Sequence, residues 1–241
     1  MYKRQTLDST EAPFIDCVII PARGGSKRIP RKNLSLLNGR TLLERSIDLA
    51  KKVGSLVVVS SEDKEILDIA TRSGALALKR EDCLASDTAT TLEVLHSAAL
   101  ELLKSHLRPE SSLLCLYATA LFANEKILKK ALEKLKANKH LAYVVSVVEN
   151  RGFHRALKFN AEGTLEFLQR GFEDSRTQDL PRVYNDAGQF YLGLASSFAS
   201  NVALLGHSSA GIELEIAQDI DRPLDLEIAK KLLEIEVRNE D

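Results

Sequence analysis

An α/β domain with a mainly parallel central sheet flanked by helices is the fold this sequence predicts, and three observations predict it. Short continuous apolar runs such as Cys17-Val18-Ile19-Ile20 and Leu56-Val57-Val58-Val59 have the composition of strands buried on both faces. Capped amphipathic stretches fall between such runs. The alternation persists to about residue 150, and parallel strands joined this way need right-handed crossovers.

The elements follow in order. A polar tail at 1–14 precedes a single domain at 15–241 that opens with the Cys17–Ile20 strand. Thr41 and Glu44 form a capping box, in which hydroxyl and carboxylate satisfy exposed N–H groups, and a helix to about Lys52 follows. After the Leu56–Val59 strand, Ser60 with Asp63 opens a helix to about Ser73, ended by Gly74. Leu76–Leu78 reads as a short third strand. Thr90 and Glu93 form a second capping box, with Leu92, Leu95, Ala99, Leu102 and Leu103 at helical spacing. Leu113–Tyr117 is a strand, Ile127, Leu128, Ala131, Leu132 and Leu135 stripe a helix, and Tyr143–Val148 is again a strand. The rhythm breaks at 151–190, where Asn160–Gly163 separates two short apolar-alternating segments as a β-hairpin would, giving an inserted arm. Strands are expected near Phe190–Leu194 and Val202–Leu205, and a last helix over Pro223–Val237.

Composition narrows the function. With 33 Lys and Arg against 34 Asp and Glu, the net charge is −1, which excludes the broad basic surface of a nucleic-acid-binding protein. It leaves room for one concentrated basic pocket. No apolar run approaches the roughly 20 residues of a membrane helix. Cys17, Cys83 and Cys115 are widely spaced and lack CxxC, which fits reduced cysteines in a cytoplasmic protein.

The strongest chemical feature is Pro21-Ala22-Arg23-Gly24-Gly25-Ser26-Lys27-Arg28-Ile29-Pro30-Arg31-Lys32-Asn33, directly after the first strand. Two glycines allow close backbone approach, and consecutive N–H groups there can form an anion-binding nest. Five cations within ten residues (Arg23, Lys27, Arg28, Arg31 and Lys32) suit several phosphate charges. The spacing matches neither Walker A nor GxGxxG. A solvated basic loop fits the composition as well; position at the carboxyl end of a strand, where open α/β sheets bind ligands, favours the phosphate reading. Asp219 and Asp221 are two apart, so on extended chain both carboxylates share one face while Ile220 points inward. Two hard oxygens on one face suit Mg²⁺ beside substrate phosphates. Asp221-Arg222-Pro223 is equally a good helix start with Asp221 as N-cap.

These residues resemble the CMP-sialic acid synthetase family of cytidylyltransferases, which activate 2-keto-3-deoxy sugar acids with CTP. Arg80 with Leu84-Ala85-Ser86-Asp87-Thr88-Ala89, then Leu116–Ala120, then Asp219-Ile220-Asp221 agree in order and spacing over about residues 16–237. Tyr184-Asn185-Asp186-Ala187-Gly188-Gln189-Phe190-Tyr191 resembles the branch acting on pseudaminic acid. The resemblance implies a Rossmann-like nucleotidyltransferase fold and a homodimer built partly by the arm. It also implies that Arg23, Gly24, Gly25, Ser26, Lys27, Lys32 and Asn33 hold the CTP phosphates and nucleotide. Arg80, Ser86 and Asp87 are then expected near cytosine and ribose, and Asp219 and Asp221 on Mg²⁺. Arg23, Lys27 and Lys32 join the two aspartates as the catalytic set.

Tyr117, Thr119, His154, Arg176, Gln189 and Tyr191 are expected to bind the nine-carbon sugar, a guanidinium being the natural partner of its carboxylate. Ordinary readings stand beside these: a surface cation at Arg80, turn and cap chemistry at Ser86–Thr88, a core position for Tyr191, and solvated loop positions for His154 and Arg176. Leu121 and Leu192 replace residues common in the branch and are expected beside the sugar pocket. N-acetylneuraminate and legionaminate are the alternative sugars, and a catalytically inactive nucleotide-binding sensor or scaffold is the alternative of another class.

Overall fold

The computed structural model describes residues 12–240, so the expected tail at 1–14 lies outside the described residues up to residue 11. β1 (Ile15–Pro21) leads through a small ladder of β2 (Leu36–Leu37) and β3 (Arg40–Thr41) into α1 (Leu42–Val53). Then β4 (Gly54–Ser61), α2 (Lys64–Arg72), β5 (Leu76–Lys79), α3 (Thr91–Leu103), β6 (Ser112–Leu116), α4 (Glu125–Ala137) and β7 (Tyr143–Glu149) alternate. Beyond them come the hairpin of β8 (Leu157–Phe159) and β9 (Leu165–Phe167), the long β10 (Tyr184–Leu194), α5 (Ala195–Ala199), β11 (Ser209–Leu214) and α6 (Pro223–Glu240).

The main sheet has seven strands in the order β11-β7-β10-β6-β1-β4-β5. β1 pairs in parallel with β4 and β6, β4 with β5, and β7 with β11; β10 runs antiparallel to both its neighbours. The period-two alternation of side chains divides β1 between two cores. Val18 and Ile20 join Val57, Val59, Leu114 and Leu116 under Leu43 and Ile47 of α1, Ile66 of α2 and Leu128 of α4. Cys17 and Ile19 join Val58, Leu113 and Cys115 under Leu95, Ala99 and Leu102 of α3 and Phe198 of α5. Burial and the nearby Asp16 push the Cys17 thiol up to about 12, so it packs as a small hydrophobe.

Both predicted capping boxes form. Thr41 Oγ1 accepts from Glu44 N at 3.1 Å while the Glu44 carboxylate accepts from Thr41 N at 2.9 Å, and Thr90 with Glu93 repeats the arrangement. Each such cap typically stabilises by about 1 kcal/mol. Ser60 does not open α2: it and Ser61 end β4, and Asp63 caps the helix by accepting from Ile66 N at 3.1 Å.

Two other expectations are corrected. The segment Val202–Leu205 forms no strand, because Val202 and Leu204 satisfy their apolar side chains by packing on the α3–α5 core. The strand comes later, at Ser209–Leu214 on the sheet edge, where Gly211 and Glu213 dilute the apolar signal. The irregular arm ends at 183 and not at 190, since β10 enters the central sheet at Tyr184. A register shift between Asp186 and Tyr191 bends β10 there; Gly188 takes φ +61°, and its N–H donates to Asp186 Oδ1 at 2.9 Å.

Candidate active site

From β1 the chain steps outward to β4 and β5, then returns to place β6 on the other flank of β1. The strand order therefore reverses between β1 and β6, and in open α/β sheets the crevice outside the carboxyl ends at such a point binds ligands. A cleft of about 250 Å³ occupies it. Arg23, Lys32 and Asn33 line it from the loop after β1, Arg80, Ser86 and Asp87 from the segment after β5, and Tyr117 and Thr119 from the end of β6. Eight residues expected from sequence to touch nucleotide or sugar thus converge there. Ser86 also closes its own turn, accepting from Ala89 N at 3.1 Å, so cap and cleft positions coincide.

The basic loop is held by two consecutive acids at the end of β4. Glu62 Oε1 accepts from Gly24 N at 2.7 Å, and Glu62 Oε2 accepts from Arg80 Nε at 3.1 Å and Nη2 at 2.8 Å. Asp63 pairs with Arg31 Nη1 at 2.5 Å. A Cβ at Gly24 would collide with the Asp63 carboxylate, so the loop approaches α2 too closely for any other residue. Asn33, buried, donates from Nδ2 to Arg23 O at 2.9 Å and closes the loop's far end. The expected nest of free N–H groups is corrected on two counts: Gly24 N–H is given to Glu62, and Ser26 N–H donates to Gly24 O at 3.1 Å. Gly24, Gly25, Ser26 and Lys27 do not line the cleft. Arg80 is no surface cation, its side chain being only 6% exposed.

Every cation of the loop faces an acid. Arg23 pairs with Asp87 at 2.8 Å and Lys27 with the other oxygen of Asp87. The Lys27 ammonium, then the Arg23 guanidinium, hold the Asp87 carboxyl below the usual range. Arg28 and Lys32 face Asp221 at 2.8 and 3.4 Å, and Arg31 also reaches Glu65.

Asp221 reaches the loop because of Ile220. That side chain is fully buried in a third cluster with Ile29 of the loop, Leu37, Leu42, Phe122 and Ala229 of α6. Burying an isoleucine contributes roughly 1.5–3 kcal/mol, whereas exposed ion pairs are worth about 0–1 kcal/mol. Ile220 therefore positions the segment, and Lys32 Nζ adds a bond to Ile220 O at 2.6 Å. The Asp221 side chain faces Arg28 and Lys32 and not α6; the helix start is fixed by Asp225 of the first turn, whose Oδ2 reaches back to accept from Arg222 N at 2.7 Å and Asp221 N at 3.1 Å. Asp219 is exposed on the same segment. Among the described residues no three His, Cys, Asp or Glu side chains gather into a ready-made metal cage.

The remaining residues expected at the sugar divide. Tyr117 hydroxyl lies 2.6 Å from Thr91 Oγ1, and its ring meets Tyr191 edge-on at 5.9 Å; Tyr191 hydroxyl donates to Asp186. Gln189 is buried with its amide spent on backbone: Oε1 accepts from Phe122 N at 3.0 Å and Nε2 donates to Ala187 O at 3.2 Å. Gln189, Tyr191, His154 and Arg176 do not line the cleft. His154 is buried in the arm between Phe153 and Phe172, its ring nitrogens 3.2 Å from Gln169 Oε1 and 3.0 Å from Pro181 O, and Arg176 is exposed at the start of a short turn. Leu192 is fully buried in the core beneath α4, and Leu121 packs on the Ile220 cluster, so neither borders the cleft.

Comparison with known proteins decides the family, since the cytidylyltransferase family model matches residues 17–240. The chain belongs to the cytidylyltransferase family. Among cytidylyltransferases it is 37% identical over 222 residues to the pseudaminic acid cytidylyltransferase of Campylobacter jejuni serotype O:2, covering 90% of this chain and 95% of that one. It is 29% identical to the CMP-N,N'-diacetyllegionaminic acid synthase of Legionella pneumophila, with 90% and 95% covered. It is 30% identical to N-acylneuraminate cytidylyltransferase B of Danio rerio, with 88% and 50% covered. A solved CMP:2-keto-3-deoxy-manno-octonic acid synthetase complexed with CTP has the same fold, with a TM-score of 0.67 at 16% identity over 92% of this chain and 99% of that one.

For a cytidylyltransferase, the residues that sequence reasoning passed over here are Glu62 and Thr91, together with the hold of Asp63 on the basic loop, since Asp63 is read there only as opening a helix. Glu62 and Asp63 follow a buried strand at its carboxyl end, the same positional signal that singled out the basic loop. Thr91 follows the Thr90 cap and carries no signal of its own in the sequence. Burial pushes the Tyr117 hydroxyl well above the usual phenol range, so it is a hydrogen-bond donor at neutral pH and not a base.

Proposed function

We propose that this cytidylyltransferase transfers the cytidylyl group of CTP to a nonulosonic acid, pseudaminic acid first among them, releasing pyrophosphate. The observation that carries the reading is the convergence of Arg23, Lys32, Asn33, Arg80, Ser86 and Asp87 in one cleft at the β1–β6 switch point. The higher identity to the pseudaminic acid enzyme than to the legionaminic and neuraminic ones supports the choice of sugar.

The anomeric hydroxyl of the sugar attacks the α-phosphorus of CTP. A new O–P bond forms, the α–β bridging bond breaks, and the hydroxyl proton is released. Arg23 and Lys32 neutralise the charge that grows on the departing pyrophosphate, and preorganised cations of this kind act most strongly on charge developing in the transition state. To do so they exchange Asp87 and Asp221 for phosphate oxygens. Tyr117 and Thr119, which line the cleft from the end of β6, are assigned to the sugar in this reading. Asp219 and Asp221 fit Mg²⁺: they are hard oxygen donors on the segment that meets the phosphate loop through Asp221, and that ion is commonly held by one or two carboxylates plus substrate phosphates. Held by Asp219 and Asp221, the ion would supply Lewis-acid charge to the substrate phosphates and lower the pKa of the attacking hydroxyl.

The exposed apolar side chains of the arm, Leu157, Phe159, Leu165 and Leu168, support its use as a contact between two copies of the chain. Three free cysteines suit the reducing cytoplasm.

Mass spectrometry of products from CTP, Mg²⁺ and each purified nonulosonic acid tests the reading. CMP-pseudaminic acid should form with several-fold or greater advantage in kcat/KM over CMP-N-acetylneuraminate. Equal efficiencies would reject the sugar assignment, and no CMP-sugar from any acid would reject catalysis in favour of a nucleotide-binding scaffold.

A further inference from the structure

The Glu62 carboxylate faces two elements that otherwise belong to different parts of the site. One oxygen takes the Gly24 N–H of the phosphate loop, the other takes Nε and Nη2 of Arg80 across the cleft. Glu62 is itself largely shielded, its side chain 18% exposed against 6% for Arg80. We propose that Glu62 is a positioning residue of the nucleotide site, fixing the Arg80 guanidinium in the cleft and registering it against the phosphate loop. The inference rests on the cytidylyl-transfer reading above.

Three physical points support it. Arginine presents its donors in a rigid planar fork, so holding Nε and Nη2 fixes where Nη1 lies. The pair is neutral as a unit. Arg80 therefore addresses an uncharged acceptor, such as a base carbonyl or a ribose hydroxyl, and leaves the triphosphate to Arg23 and Lys32. Finally, both neighbours of Glu62 are donors, so the position demands two acceptor oxygens. A glutamine of the same shape offers one acceptor and one N–H₂ group, and that group meets a donor whichever way the amide turns.

Isothermal titration with CTP and with inorganic tripolyphosphate tests the proposal on the wild type, E62Q, R80M and E62Q/R80M, with melting temperature recorded for each. E62Q should lose tenfold or more in CTP affinity. It should bind tripolyphosphate as tightly as the wild type or more tightly, because a negative charge has left the loop and the Gly24 N–H is freed. General damage to the fold would weaken both ligands alike. In the R80M background, E62Q should cost no CTP affinity, since no guanidinium remains to be positioned. The double variant also removes both charges, so it avoids leaving a buried Arg80 without its partner. Equal loss of the two ligands in E62Q, or losses that multiply in the double variant, would overturn the role of Glu62. A wild type that binds no CTP would overturn the functional reading itself, whereas a wild type and E62Q that bind CTP equally would overturn only this inference.

Discussion

Arg23 and Asp87, 64 residues apart in sequence, meet across the mouth of the cleft with Nη1 donating to Oδ1 at 2.8 Å. Both side chains are more than a third exposed, and an ion pair so placed is worth about 0–1 kcal/mol. A triphosphate offers Arg23 several anionic oxygens where Asp87 offers two. The pair therefore holds the guanidinium near the place where phosphate arrives without competing strongly for it.

Arg23→Ala should accordingly leave the fold intact and weaken the nucleotide. Loss of one charge-assisted hydrogen bond, roughly 1.5–3 kcal/mol, corresponds to a tenfold or greater rise in the CTP dissociation constant. CTP titration beside a thermal melt checks this. An unchanged affinity in a folded variant would remove Arg23 from the site.

How much of this was legible in the sequence depends on how local the determinant is. The capping boxes at Thr41 and Thr90, the buried runs of β1 and β4 and the hairpin at 157–167 are written in neighbouring residues, and each formed. Where a long-range partner decides, the reading ran out. Val202 and Leu204 found apolar neighbours without strand pairing, and the weakly apolar Ser209–Leu214 became a strand because the β7 edge accepted it. The basic loop was visible as composition, but that Gly24 N–H faces the Glu62 carboxylate and not a ligand phosphate was not, because the two are 38 residues apart. His154 looked like a loop ligand, since nothing local announces the Pro181 carbonyl and Phe172 ring that bury it.

Asp63 supplies a pH dependence. Burial pushes its carboxyl up, but the Ile66 N–H and then Arg31 outweigh burial and hold it below the ordinary value of 3.8. A depressed folded-state pKa contributes stability that is present above the unfolded value and is lost as pH falls through the folded one. Asp63→Asn retains the helix cap but loses the charge. It should cost roughly 1–2 kcal/mol near neutral pH, and the deficit should shrink below about pH 4. Urea midpoints of both proteins from about pH 3 to 7 measure it. The absence of a deficit at any pH would assign Asp63 to capping alone, since Asn preserves the cap, and a deficit that stays constant across the range would show that the charge is not its source.

His154 is expected to order the arm, not to bind substrate. Truncation to alanine removes both polar contacts and the packing between Phe153 and Phe172, and local opening of the arm should become easier by about 1.4 kcal/mol or more, a factor of ten. Limited trypsin digestion should then cut at the exposed Arg170 and Arg176 about tenfold faster, while CTP affinity stays within twofold. Unaltered digestion with a large rise in KM for the sugar would restore His154 to the sugar site.

Asp221→Asn separates a metal ligand from a merely structural carboxylate. The helix start is not at stake, because Asp225 fixes it, and the ion pairs of Asp221 with Arg28 and Lys32 are partly exposed and weak. Ile220, which does the positioning, is untouched. The melting temperature should therefore scarcely move. As a Mg²⁺ ligand, however, Asp221 supplies a negative charge and a hard oxygen that the amide lacks. Turnover should fall by roughly 10²-fold, the scale of lost transition-state electrostatics. The Mg²⁺ concentration for half-maximal rate should rise, since a weakened site needs more ion to fill it. Initial rates of the wild type and variant across a Mg²⁺ series, with a chelator-treated control, read both effects. Near-normal turnover at ordinary Mg²⁺ would leave Asp221 as a counter-ion of Arg28 and Lys32, with Asp219 as the one remaining carboxylate of the pair.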